Sequence, residues 1–269
     1  MNPNPDSLRP AAGVIQKDIA SPAPRLEAPT FGVTAGNPRG THGAAPVRSG
    51  GYGAVPADVS LLATHKVLRN TYLLLSMTLL FSAAMAGVAM AAGAPAFPWW
   101  MNLAGMLGLL FLVHGTRNSG WGLVSVFAFT GFIGFVTGPM LSAYLSAFPN
   151  GAQLVALSLG GTGAIFVGMS GYVLTSKKDF SHLGGFLLAG VLLILIGGIA
   201  NIFLGISGLA LALSLACIGV FSALILFDTS RIIHGGETNY ISATVALYLD
   251  IYNIFTSLLH LTGVMSSDD

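Results

Sequence analysis

Ile241-Ser-Ala-Thr-Val-Ala-Leu-Tyr-Leu-Asp-Ile-Tyr-Asn-Ile-Phe-Thr-Ser-Leu-Leu-His-Leu-Thr-Gly-Val264 carries one charged side chain, Asp250. A bilayer core of about 30 Å is crossed by about 20 apolar residues in a helix. The run is continuous rather than alternating, which excludes a barrel strand. Asp250 then sits about nine residues inside a span, about 14 Å along the helix axis. An ionised acid at that depth costs at least about 2.5–3.5 kcal/mol. No Lys or Arg lies in the run. Asp250 must therefore face a bundle interior, hold a proton, or pair with another group. Asn253 and Ser257 follow at i+3 and i+7 and share its face, so the helix carries one polar stripe.

Six further apolar runs precede this one, at 72–92, 99–113, 121–145, 154–174, 185–204 and 209–227. The run at 99–113 is the shortest and would thin the bilayer locally. Charged residues make up 8% of the chain, against about 25% in a soluble domain, and mean hydropathy is +0.77. Seven helices hydrophobic all round cannot all be central in a soluble globule formed by 61–269. The expectation is an all-α membrane protein, a seven-transmembrane-helix bundle over 61–269. A net charge of +1 argues against a nucleic-acid partner; the lipid bilayer is the partner that composition requires.

The first 60 residues differ. They hold 9 of the 13 prolines, few large apolar residues and no apolar period, so they read as a disordered tail. There is no apolar segment near Met1 of the kind a secretory signal needs. Counting seven spans, Lys66, Arg69, Arg117, Lys177, Lys178, Arg231 and the five basic residues of the tail all fall on one side. Six or eight spans would break that alternation. The positive-inside rule then places the N-terminus in the cytoplasm and the C-terminus outside. Trp99, Trp100 and Trp121 stand at span ends, where interfacial aromatics belong.

Small residues suggest how the helices meet. Gly134 and Gly138 form a GxxxG pair, and Gly160, Gly161, Gly163 and Gly168 thin the fourth span, so both are expected to let helices approach closely. Pro139 is expected to kink its helix or end a half-helix. Chemistry is harder to find. Cys217 is the one cysteine, which excludes a disulfide framework and a multi-cysteine metal site. No HExxH or GxSxG motif occurs. His234, Gly235, Gly236 and Glu237 read as a polar turn with glycine hinges. His114, His182 and His260 read as interfacial residues. No catalytic set, metal site or cofactor is expected, and the chain does not read as an enzyme.

The sharper candidate is a carboxylate pair. Asp228 lies at the end of the sixth run, which a short loop joins antiparallel to the seventh. Two carboxyls sharing a site tend to hold one proton between them, so a proton-linked switch or a cation site both follow. Arg231 at i+3 offers Asp228 a simpler partner, and the two acids lie at different depths.

Phe227-Asp-Thr-Ser-Arg-Ile-Ile-His-Gly-Gly-Glu-Thr-Asn-Tyr240 and Ala246-Leu-Tyr-Leu-Asp-Ile-Tyr-Asn-Ile-Phe255 resemble the C-terminal signature of the Bax inhibitor family. Thr64-His-Lys-Val-Leu-Arg-Asn-Thr-Tyr72 and Phe129-Thr-Gly-Phe-Ile-Gly-Phe-Val-Thr-Gly-Pro139 are similar to a bacterial branch of it, the inner-membrane modulators of the FtsH protease. The likeness covers about 61–265 and leaves the tail out. It implies a seven-helix bundle of the Bax inhibitor type with the last helix central, in a bacterial inner membrane. It implies an FtsH-type membrane protease complex as partner, gripping the cytoplasmic N-terminal segment. For some relatives it implies that acids at Asp228 and Asp250 sense pH for a calcium leak, which would make H+ and Ca2+ ligands. Two functions are expected on these grounds: a regulatory protein that binds and inhibits the protease, or a pH-gated cation leak through the Asp228–Asp250 pair. Asn253, Ser257 and Arg231 would support that pair.

Overall fold

The computed structural model describes residues 57–267, with side chains over 65–266. The tail expected at 1–60 lies outside the described residues, except that Ala57–Ser60 already form the first turn of a helix. Seven α-helices follow one another: α1 (Ala57–Ala91), α2 (Trp99–Thr116), α3 (Trp121–Ala147), α4 (Gly151–Ser176), α5 (Gly184–Leu204), α6 (Ser207–Ile233) and α7 (Tyr240–Ser267). A single 3-10 turn, Ser181–Leu183, precedes α5. Six of the helices are long and apolar enough to cross a membrane. The exception is α2, whose 18 residues reach about 27 Å at 1.5 Å per residue.

Glycine decides the tightest packing. A Cβ on Gly138 would lie 2.6 Å from the Ala89 methyl and 2.8 Å from the Ala86 carbonyl oxygen, and one on Gly134 would meet the Ser82 backbone. The GxxxG pair thus lets α3 lie directly on α1, as the small-residue rule requires. Gly131 meets Phe81, Gly134 meets Ser82 and Gly138 meets Ala86 and Ala89, so the two helices run parallel. α3 continues through Pro139 and no half-helix ends there.

The other glycine-rich helix behaves differently. Gly161 alone of the four on α4 touches a neighbour, Leu258 at 3.2 Å; Gly160, Gly163 and Gly168 face open space. The expectation that all of them bring helices together is corrected: close approach needs a partner, and α1 meets α4 through the Tyr72 and Phe166 rings, centroids 5.9 Å apart, with no close backbone approach among the described residues.

The seventh helix sits at the centre. It touches α1, α2, α3, α4 and α6, and buries Leu247, Tyr248, Ile254 and Leu259 almost completely. Tyr248 meets Phe129 of α3 edge-on, with ring centroids 6.1 Å apart. The two extremes differ in composition: α7 carries Asp250, Asn253 and His260, whereas α5 has no charged residue. Among the described residues α5 packs against α6 and the 3-10 turn and exposes Phe186, Leu193, Ile196 and Phe203. A helix bathed in lipid must be apolar on every face; a central one can carry polar groups that its neighbours satisfy.

Candidate functional site: an acid pair on the α6–α7 seam

α6 runs to Ile233, past the end of its apolar run. Asp228 therefore lies more than one turn inside the helix, beneath Thr229 and Ser230, both fully buried. Ser230 explains the extra turn, because its hydroxyl accepts the Phe180 amide at 2.9 Å and ties the 177–183 loop over the helix end. With that turn in place, antiparallel packing brings the carboxyls of Asp228 and Asp250 side chain to side chain. The depth mismatch expected from the apolar runs is thereby resolved.

Asp250 is 3% exposed, and its Oδ2 is buried without a hydrogen-bond partner. The Asp228 side chain is 13% exposed, with Oδ1 3.8 Å from Nη1 of Arg231. That guanidinium also lies 3.8 Å from Glu237 Oε2 and stacks 5.4 Å above the Phe227 ring. Arg231 thus caps the pair on the side of the α6–α7 turn, and the alternative of a simple Asp228–Arg231 contact is realised together with the acid pair.

Two expected supporters lie elsewhere. Asn253 turns its amide back onto the Leu249 carbonyl at 2.8 Å, and its own carbonyl accepts the Cys217 thiol at 3.8 Å. Ser257 pairs with Cys217. Asn253 and Ser257 thus extend the polar stripe away from the acids. One turn further, His260 Nδ1 is 3.0 Å from Ser214 Oγ, inside α7, where an interfacial role was expected. Asp250, Asn253, Ser257 and His260 share one α7 face at helical spacing, and α6 answers with Asp228, Cys217 and Ser214.

Sequence reasoning missed what holds the seam's end in register. Asn239 Oδ1 accepts the Ile241 and Ser242 amides at 2.9 and 3.1 Å, capping α7, while its Nδ2 donates to the Arg117 carbonyl and to Asn118 Oδ1. An Asn directly before an apolar run is the signal for such a cap. The 234–237 segment is a polar turn, as expected: Gly235 has φ 76°, and the Gly236 and Glu237 amides both donate to the Arg231 carbonyl. On the loop at the same end, the Ser181 amide donates to Asp179 Oδ1 at 2.8 Å. That amide and the Ser181 hydroxyl, with His234 and Ser230 nearby, hold the Asp179 carboxyl below the usual carboxylate range.

Residues 64–268 match the protein family described as inhibitor of apoptosis-promoting Bax1. The chain belongs to the Bax inhibitor family. Within it, this member is 53% identical over 209 residues to a protein of Escherichia coli K12 named Modulator of FtsH protease YccA, covering 78% of this chain and 94% of that one. It is equally similar to a protein of Escherichia coli O6:H1 named Inner membrane protein YccA. A membrane protein of Vibrio cholerae is 50% identical over 209 residues, 77% of this chain and 93% of its own. The family match begins at residue 64 and takes in the whole seam.

Proposed function

We propose that this family member is a seven-span inner-membrane protein that binds an FtsH-type protease and restrains it. The observation that carries this reading is the 53% identity spanning 94% of a relative named as a modulator of that protease. Packing supports seven crossings. α1 and α3 are parallel, so α2 must return the chain across the bilayer between them. The basic residues then lie at one end, with the N-terminus cytoplasmic and the C-terminus periplasmic. The connections among the described residues are short, so the bundle offers an extracting protease little to pull. The N-terminal segment is the available grip. Removing residues 1–56, up to the start of α1, should leave insertion intact and abolish inhibition. Degradation of a membrane substrate by reconstituted protease, with full-length or shortened protein, measures this. Equal inhibition by both would sink the grip.

A second reading rests on the acid pair. Asp250 Oδ2 lacks a partner unless a proton is held between the two carboxyls, and loss of that proton leaves like charges side by side inside the bundle. A proton-gated leak of a cation such as Ca2+ is what such a pair can do. Asp250→Asn keeps a hydrogen bond to Asp228 at every pH. Calcium flux into proteoliposomes should then lose its pH dependence; a flux that still responds to pH would take the pair out of the mechanism.

A further inference from the structure

Behind α7, on the face away from the acids, α1 and α4 touch through the Tyr72 and Phe166 rings and stand apart beyond them. The space between them is a cavity of about 490 Å³, floored by Tyr248, Ile251, Tyr252 and Phe255 of α7. Its mouth carries Gly87 of α1 and Leu159 and Gly163 of α4, all exposed on the apolar surface. The cavity therefore opens sideways into lipid. A Cβ on Gly87 or Gly163 would meet nothing within 4 Å, so neither glycine serves packing within the bundle. Both keep the mouth wide.

The lining states what chemistry fits. Its hydroxyls are all engaged by the protein. Ser82 Oγ and Tyr248 Oη lie 2.6 Å apart, and Tyr248 also donates to the Thr130 carbonyl. Thr137 and Thr162 donate back to their own helix at 2.6 and 2.7 Å, and Tyr252 pairs with Thr137. No polar group is left to greet a polar ligand, so the occupant is apolar. An apolar cavity of ~150 Å³ holds one benzene, so this one has room for on the order of 15–20 carbons. A partner's membrane helix, about 10 Å across and 30 Å long, fills on the order of 2,400 Å³ and is far too large.

We propose that the α1–α4 cleft is a lipid site that takes one acyl chain of a membrane phospholipid. The test uses the full-length protein in nanodiscs of phosphatidylethanolamine bearing a photoactivatable group on the acyl chain. Labelled residues are located by mass spectrometry, with the lipid-facing side of α5 as the reference for bulk lipid. Labelling at Leu159–Phe166 and Leu79–Met90 should exceed that reference at least fivefold. Gly163→Phe and Gly87→Leu, which fill the mouth from opposite walls, should each reduce it to the α5 level while α5 labelling stays unchanged. Labelling no higher than on α5, or unaffected by both substitutions, overturns the site. Displacement by added oleate would assign the cleft to free fatty acid and overturn the phospholipid assignment. A polypeptide cross-linked there in place of lipid would overturn it as well.

Discussion

The two sides of α7 solve the same problem in opposite ways. Toward α6, polar side chains pair across the interface: Asp250 with Asp228, Ser257 with Cys217, His260 with Ser214. Toward the cleft, every hydroxyl is satisfied and the space between is left to hydrocarbon. About half a turn separates the two faces, since Tyr248, Tyr252 and Phe255 lie opposite Asp250 and Ser257 at 3.6 residues per turn. Polarity buried in a membrane bundle is thus specific where partners are matched side chain to side chain. On the cleft side it is silenced, by backbone carbonyls at Thr137 and Thr162 and by the Ser82–Tyr248 pair. The seam holds a titratable pair, whereas the cleft offers an apolar lining.

The contrast is broken most forcefully at glycines. Gly134→Leu drives a side chain into the α1 backbone, and overpacking there should cost about 3 kcal/mol. Gly163→Leu meets open space and should change stability by less than about 0.5 kcal/mol. Unfolding of the reconstituted protein in mixed detergent measures both. Equal losses would mean that α1 and α4 close on each other in the bilayer.

On the seam side, Asp228→Ala strips Asp250 of its partner and should destabilise by about 2 kcal/mol, the cost of a buried unsatisfied polar group. Asp228→Asn restores a donor and should recover most of that loss in the same unfolding measurement. If alanine and asparagine behave alike, the pairing contributes nothing and only side-chain volume matters.

Much of this was legible beforehand. An acid inside an apolar run needs no structure to be noticed, because the cost of burying it is written in the residue type. The helices followed from run lengths, and close approach at Gly134 and Gly138 from their spacing; that α1 is the helix they meet, and that it runs parallel, needed the structure. Asp228 was harder to place. Apolarity stops at Phe227, whereas the helix continues through Thr229 and Ser230 because neighbours bury them. The partner of His260, Ser214, was hidden for a related reason: no local pattern tells which residue of α6 a polar side chain on α7 will face. The cleft was not legible at all. Gly160 and Gly163 look like packing glycines, and only the absence of a neighbour, which no local pattern encodes, shows otherwise.

A smaller effect tests whether the two faces are independent. Tyr248→Phe removes the 2.6 Å contact with Ser82 and should cost about 1 kcal/mol, as for a hydrogen bond between membrane helices. Any pH response of calcium flux should be untouched. A shifted response would show that the cleft side reads the state of the acids and would merge the two regions into one device.

The smallest effect lies outside both faces, on the loop that Ser230 ties over the end of α6. The carboxylate of Asp179 accepts the Ser181 amide and is held below its ordinary range. A depressed carboxyl stabilises the fold only while ionised, so this tie is present above about pH 4, the ordinary aspartate value, and is lost as the pH falls through the lower folded value. The Ser181 amide resonance in labelled protein should therefore titrate with a midpoint below that of an unstructured aspartate. Asp179→Asn should abolish that titration and speed exchange of the Ser181 amide severalfold, with no change in overall stability, because the group is exposed and screened. The Phe180 amide, held by Ser230, should stay protected in the variant. Should it also open, the loop would be anchored by Asp179 rather than by Ser230, and the extra turn that carries Asp228 to its partner would depend on a surface carboxylate.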